Sequence, residues 1–459
     1  MGLIISYSIA NCLLAPFTVP LTFTIFGYIT RFLIRRKLKI SYSTTVIGFF
    51  HPHCDDGGGG EKVLWRAIYA LSEYAVKKGE KFHVLVYRGG KAQPNTEILS
   101  KVNENFGIDL IKEKSVPITF VQVRLRFLLN QKCYPIGTIF GQSIGAMLLA
   151  CECLMRFSPD IFFDTTGWAY TYLPAKIMGC TVGAYVHYPT VSSEMFPKFK
   201  FKNIFEILKI FSSVKKVMKV IYYRLFIISY FLMGCLVRVA MVNSEWTKFH
   251  MKRLWRYKGM WSIKLVHPPC STKAFKEIRE ENISREKIVI SLSKFRPEKN
   301  HLLQLKAFAR LKQQSGFEDV RMILAGGCTN TSEKKYLEEI KRIAVQQGLA
   351  NSIEFLINAP HEKLMNQLTK ASVGIHTMIC EHFGIGIVEM MAAGVIVIAH
   401  NSGGPALDIM KTKSKIPVGY LAYDEEEYSN CMKKIFNELS DSDINKIRKA
   451  SRETADRFK

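Results

Sequence analysis

Two series of short apolar runs, each run followed by a segment with helical periodicity, restrict this chain to one class of fold. The first series begins at TTVIGFF (44–50) and the second at KIVISLSKF (287–295). The runs are rich in Val, Ile and Phe, which is typical of parallel strands buried on both faces. The alternation predicts two doubly wound α/β domains. Further strands are predicted at 82–87, 118–123, 160–167, 180–189, 320–327, 353–357, 372–378 and 395–401.

The charged segment 270–286 has no strand pattern and is the predicted linker between the two series. A chain of 459 residues is long enough for two cores. We therefore expect two Rossmann-like domains that face a cleft. The predicted parts are an N-terminal membrane anchor with its basic flank (1–40), a first domain (41–280) and a second domain (281–459).

The N-terminus predicts a transmembrane helix. Residues 3–30 carry no charge and exceed the roughly 20 residues that span a bilayer. The basic residues that follow are Arg31, Arg35, Arg36, Lys37 and Lys39. The positive-inside rule puts this flank, and the chain after it, on the cytosolic side. The alternative is a cleaved signal peptide, which has a shorter apolar region preceded by its basic residues.

The net charge of +25 favours an anionic partner: nucleic acid, a membrane surface or a phosphorylated ligand. Eight Lys or Arg residues and one acid lie within 198–224, interleaved with Phe, Ile and Leu. We interpret segment 198–241 as a membrane-interface segment; the alternative is a helix pair with a solvated basic face. No nucleic-acid-binding motif accompanies it, so no nucleic acid is expected as a partner.

The loop HPHCDDGGGGEK (51–62) follows the first strand and precedes a helix. Its four glycines indicate close backbone approach, although the loop lacks the Gly-Lys-Ser/Thr of a P-loop. His51 and His53 are metal-ligand types, but the pattern supplies no third ligand, and the eleven scattered cysteines contain no C-x-x-C pair. Asp441-Ser442-Asp443 opens a polar helix, where capping is its expected role. We expect no metal and no cofactor.

In the second domain, EHFGIGIVEMMAAG (381–394) follows a predicted strand. Gly384 would let a ligand approach the start of the next helix, where N–H groups and the helix dipole favour a diphosphate. Glu381 on the loop, at the edge of the expected cleft, and Glu389 in the helix are the charges of an otherwise apolar stretch. They are candidates for contacts with hydroxyl groups.

The segment SKFRPEKN (293–300) follows the first strand of the same domain. Arg296 and Lys299 therefore fall at the carboxyl end of that strand, where such sheets bind ligands. Cations there suit phosphate, although an exposed loop with ordinary charges is the alternative. The glycine-rich turn NSGGP (401–405) follows another strand and is expected at the same edge.

Together these motifs resemble those of the retaining family 4 glycosyltransferases, which have the GT-B fold. The resemblance runs from about residue 44 to the end of the chain and rests on Glu381, Glu389, the RPEK and NSGGP loops, VHYPT (186–190) and HPHCDDGGGGEKVLW. Within that family, the first loop and VHYPT are most similar to members that add mannose to dolichol-linked oligosaccharides at the endoplasmic reticulum.

The resemblance implies roles for individual residues. His187 would hydrogen-bond the donor sugar, and Glu381 would hold sugar hydroxyls; these are the two implied catalytic residues. The implied donor-binding residues are Gly59, Gly60, Arg296, Lys299, Phe383, Gly384, Ile385 and Glu389. Relatives commonly place Arg five residues before the loop lysine, where this chain has Lys294. Whether Lys294 or Arg296 contacts the diphosphate therefore stays open.

The implied reaction transfers mannose from GDP-mannose in alpha-1,2 linkage, as two successive residues, to a dolichol-diphosphate-linked oligosaccharide on the cytosolic face of the endoplasmic reticulum. The implied partners are this donor, this acceptor, the membrane lipids and other mannosyltransferases of the same pathway. The alternatives are a membrane-associated GT-B enzyme with another nucleotide sugar or acceptor, and a non-catalytic nucleotide-sugar-binding scaffold.

Overall fold

The computed structural model describes residues 21–55, 58–90, 93–111, 116–190, 214–255, 263–270, 272, 275, 285–412 and 414–458. They form two compact units, each built on one parallel sheet, as the sequence predicts. The first unit ends at Val266, except that Ser244–Trp246 belongs to the second.

The boundary between the units lies earlier than residue 280. Cys270 and Phe275 are buried in the apolar core of the second unit. In addition, the Cys270 N–H donates to the Phe458 carbonyl at 2.8 Å. The start of the expected linker is therefore part of the second unit, because its apolar side chains are used in that core.

The sheet of the first unit has seven parallel strands in the order β3-β2-β1-β4-β5-β6-β7. Its strands are β1 (Thr45–Phe50), β2 (Phe82–Arg88), β3 (Ile118–Gln122), β4 (Ile161–Asp164), β5 (Thr181–Val186), β6 (Val239–Val242) and β7 (Ile263–Leu265). The sequence predicted the first five and missed β6 and β7. The strand order reverses between β1 and β4, so the carboxyl ends of these two strands mark the expected ligand position.

The helices of the first unit are α1 (described over 21–37), α2 (Gly59–Lys78), α3 (Asn95–Phe106), α4 (Thr138–Arg156), α5 (Tyr172–Ile177), α6 (Val214–Gly234) and α7 (Glu245–Trp255). One face of the sheet carries α1, α4, α5, α6 and α7, whose apolar side chains share one core. The other face carries α2 and α3, which share a second core.

The predicted membrane-interface segment 198–241 does not form one continuous element. Residues 198–213 lie outside the described residues, α6 follows, and the last residues belong to strand β6. Phe226, Tyr230 and Met233 on α6 are buried in the core of the first unit. The apolar run that follows the basic residues is thus used partly in the core and in the sheet, and the outward face of α6 remains exposed.

Helix α1 contains the described part of the predicted transmembrane segment, and it is attached to the first unit. Arg31 and Arg35 form ion pairs with Asp160, and the Thr24 hydroxyl donates to the Ile177 carbonyl at 2.6 Å. At Gly27, a Cβ atom would lie 2.4 Å from the Met178 carbonyl oxygen, so glycine permits this close contact. Residues 3–20 of the predicted span lie outside the described residues.

Within the residues that the structure describes, Thr138–Arg156 is the helix with the length and apolar composition of a membrane span. This helix is α4, and one side of it is buried in the core of the first unit. It therefore has the packing of a core helix of an α/β domain.

The sheet of the second unit has six parallel strands in the order β10-β9-β8-β11-β12-β13. They are β8 (Glu286–Leu292), β9 (Arg321–Gly326), β10 (Ile353–Ile357), β11 (Ala371–His376), β12 (Ile396–His400) and β13 (Tyr420–Ala422). The sequence predicted all of these except β13. Here the strand order reverses between β8 and β11.

The helices of the second unit are α8 (His301–Lys312), α9 (Thr331–Gln346), α10 (His361–Lys370), α11 (Ile385–Ala392), α12 (Glu425–Lys433) and α13 (Asp441–Ala455). Asp441 and Asp443 lie in the first turn of α13. The Ser440 hydroxyl caps that turn by accepting from the Asp443 N–H at 3.2 Å. The Asp-x-Asp pair thus opens a helix, as the sequence predicted, but the residue that caps the helix is Ser440 and not one of the two aspartates.

Candidate functional site

Lys299 and Glu381 meet where the strand order of the second sheet reverses. Lys299 follows β8 and Glu381 follows β11, and their Nζ and Oε2 atoms are 2.5 Å apart. His376, the last residue of β11, places its Nε2 at 3.0 Å from the same carboxylate oxygen. A cation and a carboxylate predicted from separate motifs are therefore in direct contact, at the position where open α/β sheets bind ligands.

Glu381 is only 8% exposed, so it is more deeply buried than its predicted place at a loop edge suggested. Burial alone would raise its pKa, but the hydrogen bond from His376 and the charge of Lys299 outweigh burial and lower the pKa. Glu381 is therefore ionised at neutral pH. An ionised carboxylate only accepts hydrogen bonds, which suits it to bind hydroxyl groups.

The NSGGP turn holds the Glu381 loop in place through hydrogen bonds. The Gly404 N–H donates to the Glu381 carbonyl at 2.7 Å, and the Cys380 N–H donates to the Ser402 hydroxyl at 2.8 Å. A Cβ atom at Gly403 would lie 2.3 Å from the Glu381 carbonyl oxygen. The glycines of this turn were predicted to line a ligand edge, whereas the structure uses them for contact with the backbone of the Glu381 loop.

Gly384 precedes α11 with a φ of +108°, a conformation that favours glycine. Phe383, just before it, is buried, and Glu389, one turn into the helix, is half-buried. The first amides of α11, beginning at Ile385, have no partner within the helix, and the helix dipole makes this end electropositive. The backbone at the start of α11 therefore has the conformation and the N–H groups that the predicted diphosphate site requires.

Arg296 contacts a different acid. Its Nε donates to Glu333 Oε1 at 2.7 Å, and Glu333 lies in the first turn of α9. Burial would raise the pKa of Glu333, but the Thr329 N–H and Arg296 lower it to about 2. Lys294, in contrast, has an exposed side chain. Which of these two cations contacts a diphosphate stays a prediction.

A second cluster lies at the reversal of the first sheet. His51 follows β1, is buried, and donates from Nε2 to Glu61 Oε1 at 3.2 Å. Its Nδ1 lies 2.8 Å from the hydroxyl of Thr165, the residue that follows β4. Burial would raise the pKa of Glu61, but the hydrogen bond with His51 lowers it. His51, one of the two histidines weighed as metal ligands, is thus bonded on both ring nitrogens to protein groups.

His187 lies beside this cluster. Its Nε2 donates to the Thr165 carbonyl at 2.9 Å, and a Tyr185 ring packs against it at 4.9 Å between centroids. A Cβ atom at Gly60 would lie 3.7 Å from His187 Nε2 and 3.9 Å from His51 Cε1. The structure therefore brings His187 and Gly60 together, with Gly59 as the first residue of α2.

Sequence reasoning missed the partners in both clusters. Thr165, Glu61 and His376 were not selected as site residues, although Thr165 and His376 stand at the ends of strands beside the reversal points. Their position at a strand end beside a reversal point is the feature of the sequence that could have identified these two residues. Among the described residues, no three His, Cys, Asp or Glu side chains are grouped as metal ligands.

Two family models match the chain. One, described as the N-terminus of the ALG11 mannosyltransferase, matches residues 44–255, and the other, glycosyl transferases group 1, matches residues 274–454. A human GDP-Man:Man(3)GlcNAc(2)-PP-Dol alpha-1,2-mannosyltransferase is 39% identical over 93% of this chain and 88% of its own length. The chain belongs to the ALG11 mannosyltransferase family. A relative of the same name in Dictyostelium discoideum is 36% identical over 93% of this chain and 84% of its own length.

Membership of this family confirms the resemblance that the motifs predicted, and the group 1 match confirms a glycosyltransferase. Among solved structures, Anabaena HepE in complex with UDP and glucose has a TM-score of 0.58 at 15% identity, over 90% of this chain and 95% of its own. The apo structure of OtsA has a TM-score of 0.62 at 11% identity, over 90% of this chain and 96% of its own. At these identities the likeness shows the fold alone. With the two parallel sheets, it confirms the GT-B fold.

Proposed function

We propose that this chain transfers mannose from GDP-mannose, in alpha-1,2 linkage and as two successive residues, to a dolichol-diphosphate-linked oligosaccharide in N-glycan precursor synthesis. The observation that carries the proposal is the Lys299–Glu381–His376 cluster at the reversal of the second sheet, in a chain whose relatives are named for this transfer.

The chemistry of transfer requires a group that stabilises the departing diphosphate. The bond between C1 of mannose and the phosphate oxygen breaks, and its electron pair stays on GDP. The acceptor hydroxyl oxygen bonds to C1 and passes its proton to the departing diphosphate. Lys299 and the electropositive start of α11 would stabilise the charge that develops on the diphosphate. Arg296 or Lys294 would supply a further cation.

Glu381 has two roles in this proposal. Its ionised carboxylate accepts hydrogen bonds from sugar hydroxyls, and its contact with Lys299 fixes the position of the ammonium group. Oε2 contacts Lys299 and His376 and so serves the second role. Oε1 accepts from the His382 N–H at 3.1 Å, and a carboxylate oxygen can accept a second hydrogen bond, here from a sugar hydroxyl. Glu389 would bind the ribose.

In the first unit, His187 is the proposed contact to the donor sugar. Since the Thr165 carbonyl only accepts, His187 carries its proton on Nε2 when neutral, and Nδ1 can then accept from a sugar hydroxyl. The His51–Thr165 hydrogen bond would hold the segment that orients His187. Gly60 leaves space beside both rings.

We further propose that the protein is anchored in the endoplasmic reticulum membrane by its N-terminus, with both units on the cytosolic side and in contact with other mannosyltransferases of the pathway. The face of the first sheet that carries α1, α4 and α6 supports membrane contact. Its exposed apolar side chains are Leu21, Phe23, Ile25, Phe26, Tyr28, Ile29, Phe32 and Leu33 on α1, Phe140, Ile144, Leu148 and Met155 on α4, and Met218, Ile221, Leu225, Ile228 and Leu232 on α6.

The spacing of these side chains indicates a continuous outward stripe on α4 and another on α6. The two helices are adjacent, because the Phe140 N–H donates to the Tyr222 hydroxyl at 3.2 Å. On the opposite face, the exposed large apolar side chains in the described parts of α2 and α3 are Tyr74 and Val76. This asymmetry fits a protein that rests one face of its first unit on a bilayer.

A variant lacking residues 1–20 is expected to float with anionic liposomes, because the attached part of α1 and the stripes on α4 and α6 remain. Adding Leu225→Glu and Ile228→Glu should lower the bound fraction at least about tenfold, since each buried Leu or Ile contributes about 1.5–3 kcal/mol. The matched control is Tyr74→Glu with Val76→Glu on the opposite face, which should float like its parent. Equal flotation of all three proteins would contradict membrane contact through α6.

The transfer itself is tested with purified protein, radiolabelled nucleotide sugars and a dolichol-linked acceptor, followed by sizing of the product. We expect incorporation from GDP-mannose and not from UDP-glucose, and activity that survives EDTA because cationic side chains and amides stabilise the diphosphate. Incorporation from another nucleotide sugar alone would favour the alternative enzyme, and no incorporation from any of them would favour a non-catalytic scaffold.

A further inference from the structure

The first unit contains a cavity of about 820 Å³ that no role described above uses. It opens beyond the carboxyl ends of β2 and β3, between the Gly90 region and a 3-10 turn at Leu125–Leu129. Its polar lining residues are His53, Gln122, Arg124, Arg126, Asn130, Gln131 and Gln142. Its volume is typical of sites that bind small ligands.

The walls of the cavity are held by four hydrogen bonds, three of which are partly buried. Glu152 on α4 accepts from the backbone N–H groups of Arg124 and Leu125 at 2.9 Å each, which holds the start of the 3-10 turn. Gln142 donates to the Leu129 carbonyl at 2.7 Å, and Gln122 donates to the Gly90 carbonyl at 2.6 Å. The cavity is therefore preformed, which lowers the entropic cost of binding a ligand.

The lining has the chemistry of a site for an anionic carbohydrate. Two arginines line it, and none of the described residues that line it is Asp or Glu. Guanidinium groups bind phosphate oxygens through paired N–H donors, whereas side-chain amides suit sugar hydroxyls. Arg126 extends across Gly89, where a Cβ atom would lie 2.1 Å from Arg126 Cδ. Glycine at that position therefore allows the arginine to reach the cavity.

The cavity also has an exposed apolar side chain at its edge. Phe127 lines it with a side chain that is 59% exposed. Of the described residues of α4, Gln142 lines the cavity, whereas the exposed Phe140 and Ile144 lie two positions away and project from another side of the helix. A basic and amide-rich cavity thus has an exposed aromatic side chain at its edge. A molecule that joins an anionic head to a long apolar chain has the matching arrangement.

We propose that this cavity binds the acceptor, with the diphosphate at Arg124 and Arg126, the first sugars at the amide side chains and the polyprenyl chain leaving over Phe127. This assignment rests on the proposed function, since it names the site for the acceptor of that reaction. The phosphate of an ordinary anionic phospholipid presents similar chemistry, and the experiment below separates the two sources.

The test compares the full chain with Arg124→Gln/Arg126→Gln in neutral detergent micelles that contain no anionic phospholipid. The Michaelis constant for the lipid-linked acceptor is expected to rise at least tenfold, while that for GDP-mannose changes less than twofold. Arg124→Gln alone, which alters an exposed side chain, should raise the acceptor constant by a smaller factor without affecting folding. The matched control is Lys132→Gln, an exposed cation on the neighbouring turn that does not line the cavity.

Four outcomes are informative. A raised acceptor constant in the Arg124 and Arg126 variants, with Lys132→Gln unchanged, supports the assignment. An unchanged acceptor constant in the double variant, or an equal rise in Lys132→Gln, overturns it while leaving the proposed function intact. Loss of binding to anionic liposomes by the double variant with an unchanged acceptor constant assigns the cavity to phospholipid and also overturns it. Absence of transfer by the unaltered chain contradicts the proposed function itself.

Discussion

Replacing Glu381 by Gln is expected to lower kcat for mannose transfer by about 10²–10³-fold, the usual cost of removing one preorganised polar contact to a reacting group. Gln keeps the shape of the side chain but cannot balance the charge of Lys299, which lies 2.5 Å from Oε2. It also replaces an acceptor with a group that partly donates. The measurement is kcat with saturating GDP-mannose and acceptor.

The matched control for this variant is Glu339→Gln, which changes an exposed acid of the same unit. Activity of Glu381→Gln within threefold of the unaltered chain would contradict the role of the cluster. Glu381→Ala is expected to have a second effect, on stability. Because Glu381 is buried against Lys299 and His376, Ala should also lower the free energy of unfolding, by about 1–3 kcal/mol. Thermal unfolding of both variants separates the two effects.

Replacing His187 by Ala is expected to lower kcat/KM for GDP-mannose by about 10²–10³-fold, because it removes the proposed contact to the donor sugar. Replacing it by Gln should be nearly as damaging. Gln can still donate to the Thr165 carbonyl, but it has no counterpart of Nδ1 for a sugar hydroxyl. The comparison therefore separates the sugar contact from a purely structural hydrogen bond.

His83→Gln is the matched control in the first unit. His83 lies near the amino end of β2, at the opposite edge of the sheet, and its Nε2 bonds the Thr119 hydroxyl at 2.8 Å. This variant should keep full activity. If His187→Gln were as active as His83→Gln, the role of His187 would be structural and the proposed sugar contact would be wrong.

The sequence predicted ten strands of the two sheets, from runs rich in apolar residues that stand between polar turns. It missed β6, β7 and β13, which have three or four residues each, although β4 is equally short and was predicted. Strand β6 also follows the apolar helix α6 closely, so the hydrophobic pattern shows no boundary there. Short strands in a sheet are fixed by their neighbours, which a single window of sequence does not contain.

The contacts within the site also depend on the tertiary fold, which limits what the sequence can predict about them. Lys299 and Glu381 could be predicted because each stands in a local loop at the end of a strand, but their contact joins residues 82 positions apart. Arg31 and Arg35 were interpreted as flanking charges of a membrane span, whereas the structure pairs both with Asp160. In each case the residue type and its place in the chain were informative, and the partner depended on the tertiary fold.

The linkage and number of sugars in the product test the central proposal most directly. The measurement is mass spectrometry of the oligosaccharide released after purified protein has acted on GDP-mannose and a dolichol-diphosphate acceptor that carries three mannoses and two N-acetylglucosamines. We predict a product with two further hexoses, both removed by a mannosidase specific for alpha-1,2 linkages. An acceptor that gains no hexose, or gains one that resists this mannosidase, would contradict the proposal.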